Sequence, residues 1–347
     1  MSPSLRFPEF TGEWEKCKIE DITDAVSSGK SKNHFSNGEY NLYGSTGIIG
    51  RTDKALYDGK LVLVARVGAN AGFLQIINEP CGITDNTLIL KPKGIDAFYL
   101  YYFLQHFNLN RLIFGSGQPL ITGGMLKKVK VSLGTISEQS KIVKFLSLLD
   151  ERIAVQSRLI DRLQSLMKGI RHRIINEAKG KIVCLCEVSD IYQPQTISSA
   201  DLTETGYPVY GANGIIGHYT SYNHEAEQVC ITCRGNTCGG VNYTKSKSWI
   251  TGNAMVVNVD RYQNIVSKRY LYHYLSNCDF NSIISGSGQP QIVRAPLAKF
   301  KIILPTVMQQ YKIAHCLDVI QNKINVNSNI LNLLIRQKQY LLRKMFM

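Results

Sequence analysis

The sequence contains no long hydrophobic run. No stretch approaches the ~20 apolar residues that cross a bilayer, and the longest runs, such as Leu61–Ala65, are of strand length. The opening MSPSLRFPEF lacks the charged-then-apolar layout of a secretory signal. A cytoplasmic protein with no membrane role is expected. Nucleotide and cofactor cradles are missing too. There is no GxxxxGK[ST], no GxGxxG after a strand, and no NPPY-like or DPPY-like string of the kind that marks amino-methyltransferases. The seven histidines (His34, His106, His172, His218, His224, His273 and His315) are scattered without evident partners, and no nuclease-like carboxylate cluster stands out. The nine cysteines include one CxxC, Cys230 and Cys233, with Cys238 following. A zinc site needs a second ligand pair at suitable spacing, and none follows, so no metal is expected. Acidic residues are scarce: 26 Asp and Glu against 40 Lys and Arg, for a formal charge of +14. That balance favours a polyanionic partner.

What is present is a repeat. YGSTGIIG at 43–50 returns as YGANGIIG at 210–217, at an offset of 167. Thr84 and Asn86 return as Thr251 and Asn253. GSGQP at 115–119 returns unchanged at 286–290, now at an offset of 171, and YLYYFL at 99–104 faces YLYHYL at 270–275. The chain is a tandem duplication, and a pseudo-two-fold molecule suits a pseudo-two-fold ligand such as duplex DNA.

Each copy ends in a heptad ladder. Ile142, Leu146, Leu149, Ile153, Gln156, Ile160, Leu163, Met167, Ile170 and Ile174 alternate steps of four and three. Ile313, Leu317, Ile320, Ile324, Asn327, Leu331, Leu334, Lys338, Leu341 and Met345 repeat them at the 171 offset. A sustained 3.5 period predicts a coiled coil. The helices, roughly 50–57 Å long at 1.5 Å per residue, are expected to pair antiparallel with each other. Gln156 and Asn327 share a rung. A buried amide there sets helix–helix register, and a solvated helix edge explains the pair equally well.

The segments 1–136 and 179–306 hold short β-type runs, including Lys60–Ala65, Thr87–Leu90, Gln228–Thr232 and Ala254–Val259, with helical stretches at Phe98–Phe107 and Lys268–Ser276. The expected class is α+β: two globular modules, each followed by a long helix at 137–178 and 307–347. Loops between strands hold the candidate DNA-binding residues. In YGSTGIIG and YGANGIIG these are Tyr43, Ser45 and Thr46, against Tyr210 and Asn213. The glycines there suit a tight turn, which is also a sufficient structural reason for them. ARVGANAG at 65–72 faces CRGNTCGG at 233–240, giving Arg66 and Asn70 against Arg234, Asn236 and Thr237. Arg pairs with guanine and Asn with adenine. Asn86 and Asn253 join them, as do Gln118 and Gln289 of GSGQP and Arg294 just beyond. Asn33 is a further candidate, and Lys30, Lys32, Lys127 and Lys128 are assigned to phosphate contact.

At this point a family resemblance is plain. Two modules followed by EQSKIVKFLSLLDERI (138–153) and QQYKIAHCLDVIQNKI (309–324) resemble the specificity subunits of type I restriction-modification systems. The opening LRFPEFTGEWEKCKIEDI (5–22) and the ending LLRKMF (341–346) look like that family's ends. Two departures exist: the second copy has no match to Trp14, and Gly134 stands where Pro305 gives the more usual Leu-Pro. The resemblance implies two target-recognition domains that read the halves of a split, asymmetric site in double-stranded DNA. It implies spacer helices that dock two methyltransferase (modification) subunits, which bind S-adenosylmethionine and methylate adenine. Restriction (motor) subunits using ATP and Mg²⁺ then join, and this chain itself holds no cofactor. The residues alone leave other readings open: a specificity module of another restriction-modification type, an orphan DNA-binding protein, or a stand-alone nuclease.

Overall fold

The two ladders fold as long helices, Ile136–Glu177 (the central helix) and Val307–Met345 (the C-terminal helix). A computed structural model describes residues 3–31, 38–114, 119–286 and 288–346. Every position of both ladders is buried or half-buried, as a seam of 3.5 period requires. The chain divides into two compact units, Met1–Ser157 with Asn329–Met347, and Arg158–Ser328. Each unit therefore contains one globular module and a stretch of both helices.

In the first unit a four-stranded antiparallel sheet runs in the order Thr23–Ser28, Thr87–Pro92, Lys60–Ala65, Leu74–Asn78. Lys60–Ala65 is central and, from Leu61 on, entirely apolar and buried, the pattern of a strand covered on both faces. A second sheet joins Gly47–Thr52, Tyr40–Gly44 and Cys81–Ile83, with the last pair parallel. The helix Ala97–Phe107 is capped by Asp96, whose carboxylate accepts the Phe98 and Tyr99 amides. Leu100, Phe103 and Leu104 pack on Val62, Val64 and Leu90. The same core takes Ile142, Leu146 and Leu149 from the start of the central helix, and Leu341, Leu342 and Phe346 from the end of the C-terminal one. Each such buried side chain contributes about 1.5–3 kcal/mol.

The second unit repeats this plan. Its four-stranded sheet is Asp190–Tyr192, Ala254–Asn258, Val229–Thr232, Val241–Tyr243, and its three-stranded sheet is Gly214–Tyr219, Tyr207–Gly211, Trp249–Ile250. The helix Lys268–Leu275 packs on the sheet, and the core takes Ile175 from the end of the central helix and Ala314 from the start of the C-terminal one. The start of one helix thus meets the end of the other in each unit, which is the antiparallel pairing that the matched ladders predict.

Three local features explain irregularities of the repeat. Lys338, the charged rung, forms a 2.6 Å salt bridge to Asp150 and lies 5.3 Å from the centroid of the Tyr102 ring. Trp14 Nε1 donates to the buried Glu138 carboxylate at 3.1 Å, and Arg6 pairs with both its oxygens at 2.6 and 2.8 Å. A Cβ on Gly134 would collide with Glu138 and Trp14. In the second copy Gln309 replaces Glu138, bonding Thr306 instead. With no buried carboxylate to satisfy, neither the indole nor the glycine is needed, and Pro305 fits.

Candidate nucleic-acid interface

The loops singled out in the sequence are hydrogen-bonded into one cluster in each unit. In the first, the turn Ser45–Thr46 closes a hairpin, with Gly47 at φ 139°. Ser45 Oγ donates to the Asn86 carbonyl at 3.2 Å, and the Arg66 amide donates to the same oxygen at 2.9 Å. The Gly68 amide then donates to Pro119 at 3.0 Å, and the Ile121 amide returns to the Arg66 carbonyl at 2.9 Å. In the second unit the Cys233 amide donates to Asn253, the Gly235 amide to Pro290, and the Ile292 amide to Cys233, all at 3.0 Å. Thr232 Oγ1 donates to the Ala212 carbonyl, tying in the hairpin turn. The repeat therefore preserves a backbone frame on which side chains vary.

Thr46, Asn70, Asn86, Asn213, Arg234, Asn236, Thr237, Asn253, Gln289 and Arg294 are exposed at or beside these loops. Arg294 begins the short helix Arg294–Ala298, two residues after Ile292. Ser45 is half-buried and engaged with Asn86. Lys30 is exposed beside the buried Ser31, whose amide bonds the Ile83 carbonyl. Lys32, Asn33 and Gln118 lie outside the described residues.

Several candidate residues sit in surroundings that the sequence pattern does not show. Tyr43 and Tyr210 sit on hairpin strands rather than on a loop. Tyr43 donates its hydroxyl to Glu79 at 2.5 Å, and hydrogen bonds from Asn41 and Tyr43 hold the Glu79 carboxyl below its ordinary range. Burial, then Glu79, pushes the Tyr43 hydroxyl up. Tyr210 is buried, and its oxygen accepts the Lys245 amide at 3.1 Å. Both hydroxyl groups are thus engaged within their own modules. The two arginines are also not equivalent. Gly68 and Gly235 share positive φ and the bond to proline, so Arg66 matches Cys233 and Val67 matches Arg234. Successive residues of an extended segment point oppositely. Arg66 accordingly turns inward, half-buried, with Nη1 3.3 Å from Ser28 Oγ, while Arg234 is exposed. Finally, Lys127 and Lys128 end the short helix Gly123–Lys127, next to the Val129 carbonyl that binds the Ile19 amide. That is the Thr23 end of the strand Thr23–Ser28, whereas Arg66 meets its Ser28 end.

Sequence reasoning missed the joint between each module and its long helix. Gln139 Oε1 accepts the Asp96 amide at 3.4 Å and its Nε2 donates to Gly134 at 2.9 Å. Gln310 does the same work for the Ser267 amide, at 2.7 Å, and for the Ile265 and Pro305 carbonyls, both at 2.9 Å. Their identity at the 171 offset was the available signal. His273 is also buried, 2.7 Å from Asp318, and burial holds its imidazole down to about 4 despite that partner. Among the described residues no three His, Cys, Asp or Glu side chains converge as metal ligands, and no helix is long and apolar enough to cross a membrane.

The family model described as Type I restriction modification DNA specificity domain matches residues 11–165 and again 178–336. The chain belongs to the type I restriction-modification DNA specificity family. The two matches correspond to the two copies of the repeat. This specificity protein is 31% identical, over 148 residues, to the Type I restriction enzyme EcoprrI specificity subunit of Escherichia coli, an alignment spanning 41% of this chain and 36% of that one. It is 23% identical to the Type I restriction enzyme MjaVIII specificity subunit of Methanocaldococcus jannaschii, over 76% of this chain and 73% of that one. Its fold resembles the crystal structure of a type I S subunit from M. genitalium, with a TM-score of 0.74 at 19% identity, covering 100% of this chain and 99% of the other.

Proposed function

We propose that this specificity protein reads a split, asymmetric site in duplex DNA, one half through each loop cluster, and carries two modification subunits on its helices. The observation behind this reading is the shared frame with unlike side chains. Thr46 stands against Asn213, Ala69 against Asn236 and Asn70 against Thr237, on loops held by matching backbone hydrogen bonds. Different donors and acceptors select different bases, so two unlike half-sites are expected. Lys30 and Arg294 supply sequence-independent phosphate contact, and so do Lys127 and Lys128 at the far end of their strand. Adenine methylation with S-adenosylmethionine, and cleavage by motor subunits using ATP and Mg²⁺, belong to the partners. The assembly works in the cytoplasm, where its DNA is.

Each long helix also carries a second apolar stripe, and these support docking. Leu148, Val155 and Leu159 on the central helix, and Val319, Val326, Ile330 and Leu333 on the C-terminal helix, keep heptad spacing yet are exposed, Leu333 to 63%. The helix seam proper is already covered, so these stripes suit partner helices. Replacing Leu148 and Val319 together by Asp removes a matched position from each. Because both are exposed, folding stability changes by only about 0.5 kcal/mol per site. Co-purification of the modification subunits should be lost at unchanged melting temperature. Intact assembly of that variant places the docking surface elsewhere.

A further inference from the structure

We propose that one cross-strand pair, Arg234 with Gln291 in the second unit and Val67 with Leu120 in the first, is a specificity-determining position. It reads guanine in the second half-site and the methyl face of thymine in the first. This rests on the proposed split-site function. Arg234 and Gln291 face each other across an isolated antiparallel bridge, as do Val67 and Leu120. The hydrogen bonds come from the flanking residues: Gly235 to Pro290 and Ile292 to Cys233, and likewise Gly68 to Pro119 and Ile121 to Arg66. Both are therefore non-hydrogen-bonded pairs, in which Cα atoms approach to about 4.5 Å and the two side chains leave the same face in contact. A ligand that lies along that face meets both members at once.

The pair is also presented outward. Arg234 and Gln291 are exposed, and neither side chain hydrogen-bonds to another described residue. The next residue is a glycine in the left-handed region, Gly68 at φ 79° and Gly235 at φ 82°, and a Cβ on either would meet no atom within 4 Å. The backbone beside the pair is thus open to close approach. The chemistry of the two copies is opposite. Arg234 offers a rigid fork of donors that matches guanine O6 and N7, and the adjacent Gln291 amide adds a donor and an acceptor for the neighbouring base edge. Val67 and Leu120 are half-buried and offer only apolar surface, which discriminates through the thymine methyl. Arg66, which carries the same residue type one position away, faces Ser28 and has no part in this reading.

The test uses the full chain assembled with its modification subunits, with the methylated motif as the readout. R234V/Q291L gives the second unit the residues that the first already carries on the same frame, and V67R/L120Q is the reciprocal exchange. R234V/Q291L should relax or replace one guanine in the second half-site, lowering discrimination there roughly 5- to 150-fold, with the first half-site unchanged. V67R/L120Q should install a guanine preference at one position of the first half-site alone. If the wild type gives a split motif that neither exchange alters, this pair does not determine specificity and the inference is overturned. If the wild type gives no split motif, the proposed function fails instead.

Discussion

Adding four residues to each long helix, after Gln156 and at the matching rung after Asn327, should abolish methylation at the original sites and transfer it to sites with a wider gap. On the proposed function the long helices set the distance between the two reading clusters, so lengthening both moves the clusters apart. Four residues add about 6 Å, and base pairs stack at about 3.4 Å, so the unread gap grows by up to two base pairs. The recognised bases stay the same, because the helices carry none of the loop side chains. Inserting at equivalent rungs keeps the two ladders in step, whereas an insertion in one helix alone would misalign every rung beyond it. Sequencing the methylated adenines distinguishes the outcomes. A variant that assembles and methylates with the original gap would show that the spacing is set at the module–helix joints near Gly134 and Pro305.

Gln310→Ala should destabilise the second unit by about 3 kcal/mol. Gln310 is fully buried. Its truncation leaves the Ser267 amide and the Ile265 and Pro305 carbonyls without their side-chain partner, and each buried unsatisfied group costs about 1–3 kcal/mol. A cavity adds to this. Gln139→Ala should cost less, about 1–2 kcal/mol, since its bond to the Asp96 amide is long at 3.4 Å. Gln310→Met keeps the volume but not the bonds, and should recover only a minor part of the loss. Chemical denaturation of the full chain measures the order. Equal, small losses in Gln310→Ala and Gln139→Ala would mean that the joint is held by apolar packing alone.

Much of the architecture was written in periodicity. Ten rungs of alternating four and three steps leave no other regular structure for 136–177 and 307–345, and the all-apolar Leu61–Ala65 reads as a covered strand. Side-chain direction was not legible in the same way. Aligning the letters of ARVGANAG and CRGNTCGG puts Arg66 opposite Arg234. The backbone aligns the glycines instead, and a shift of one residue in extended chain reverses which arginine faces outward. Tyr43 and Tyr210 look like loop residues beside their glycines, yet a strand carries each to a packed position against Glu79 or the Lys245 amide. Lys127 and Lys128 follow GSGQP closely in sequence, but a short helix leads them away from it. The joints made by Gln139 and Gln310 were visible only as an identity between copies, because a lone glutamine on an amphipathic helix carries no sign of burial.

Mapping methylated adenines across the host genome, with and without this gene, tests the split-site reading. The expected result is a motif present only with the gene, made of two unlike half-sites separated by a fixed run of unread bases. One turn of the duplex, about 34–36 Å, is the expected separation of the half-site centres. A continuous palindromic motif, or methylation unaffected by loss of the gene, would contradict it.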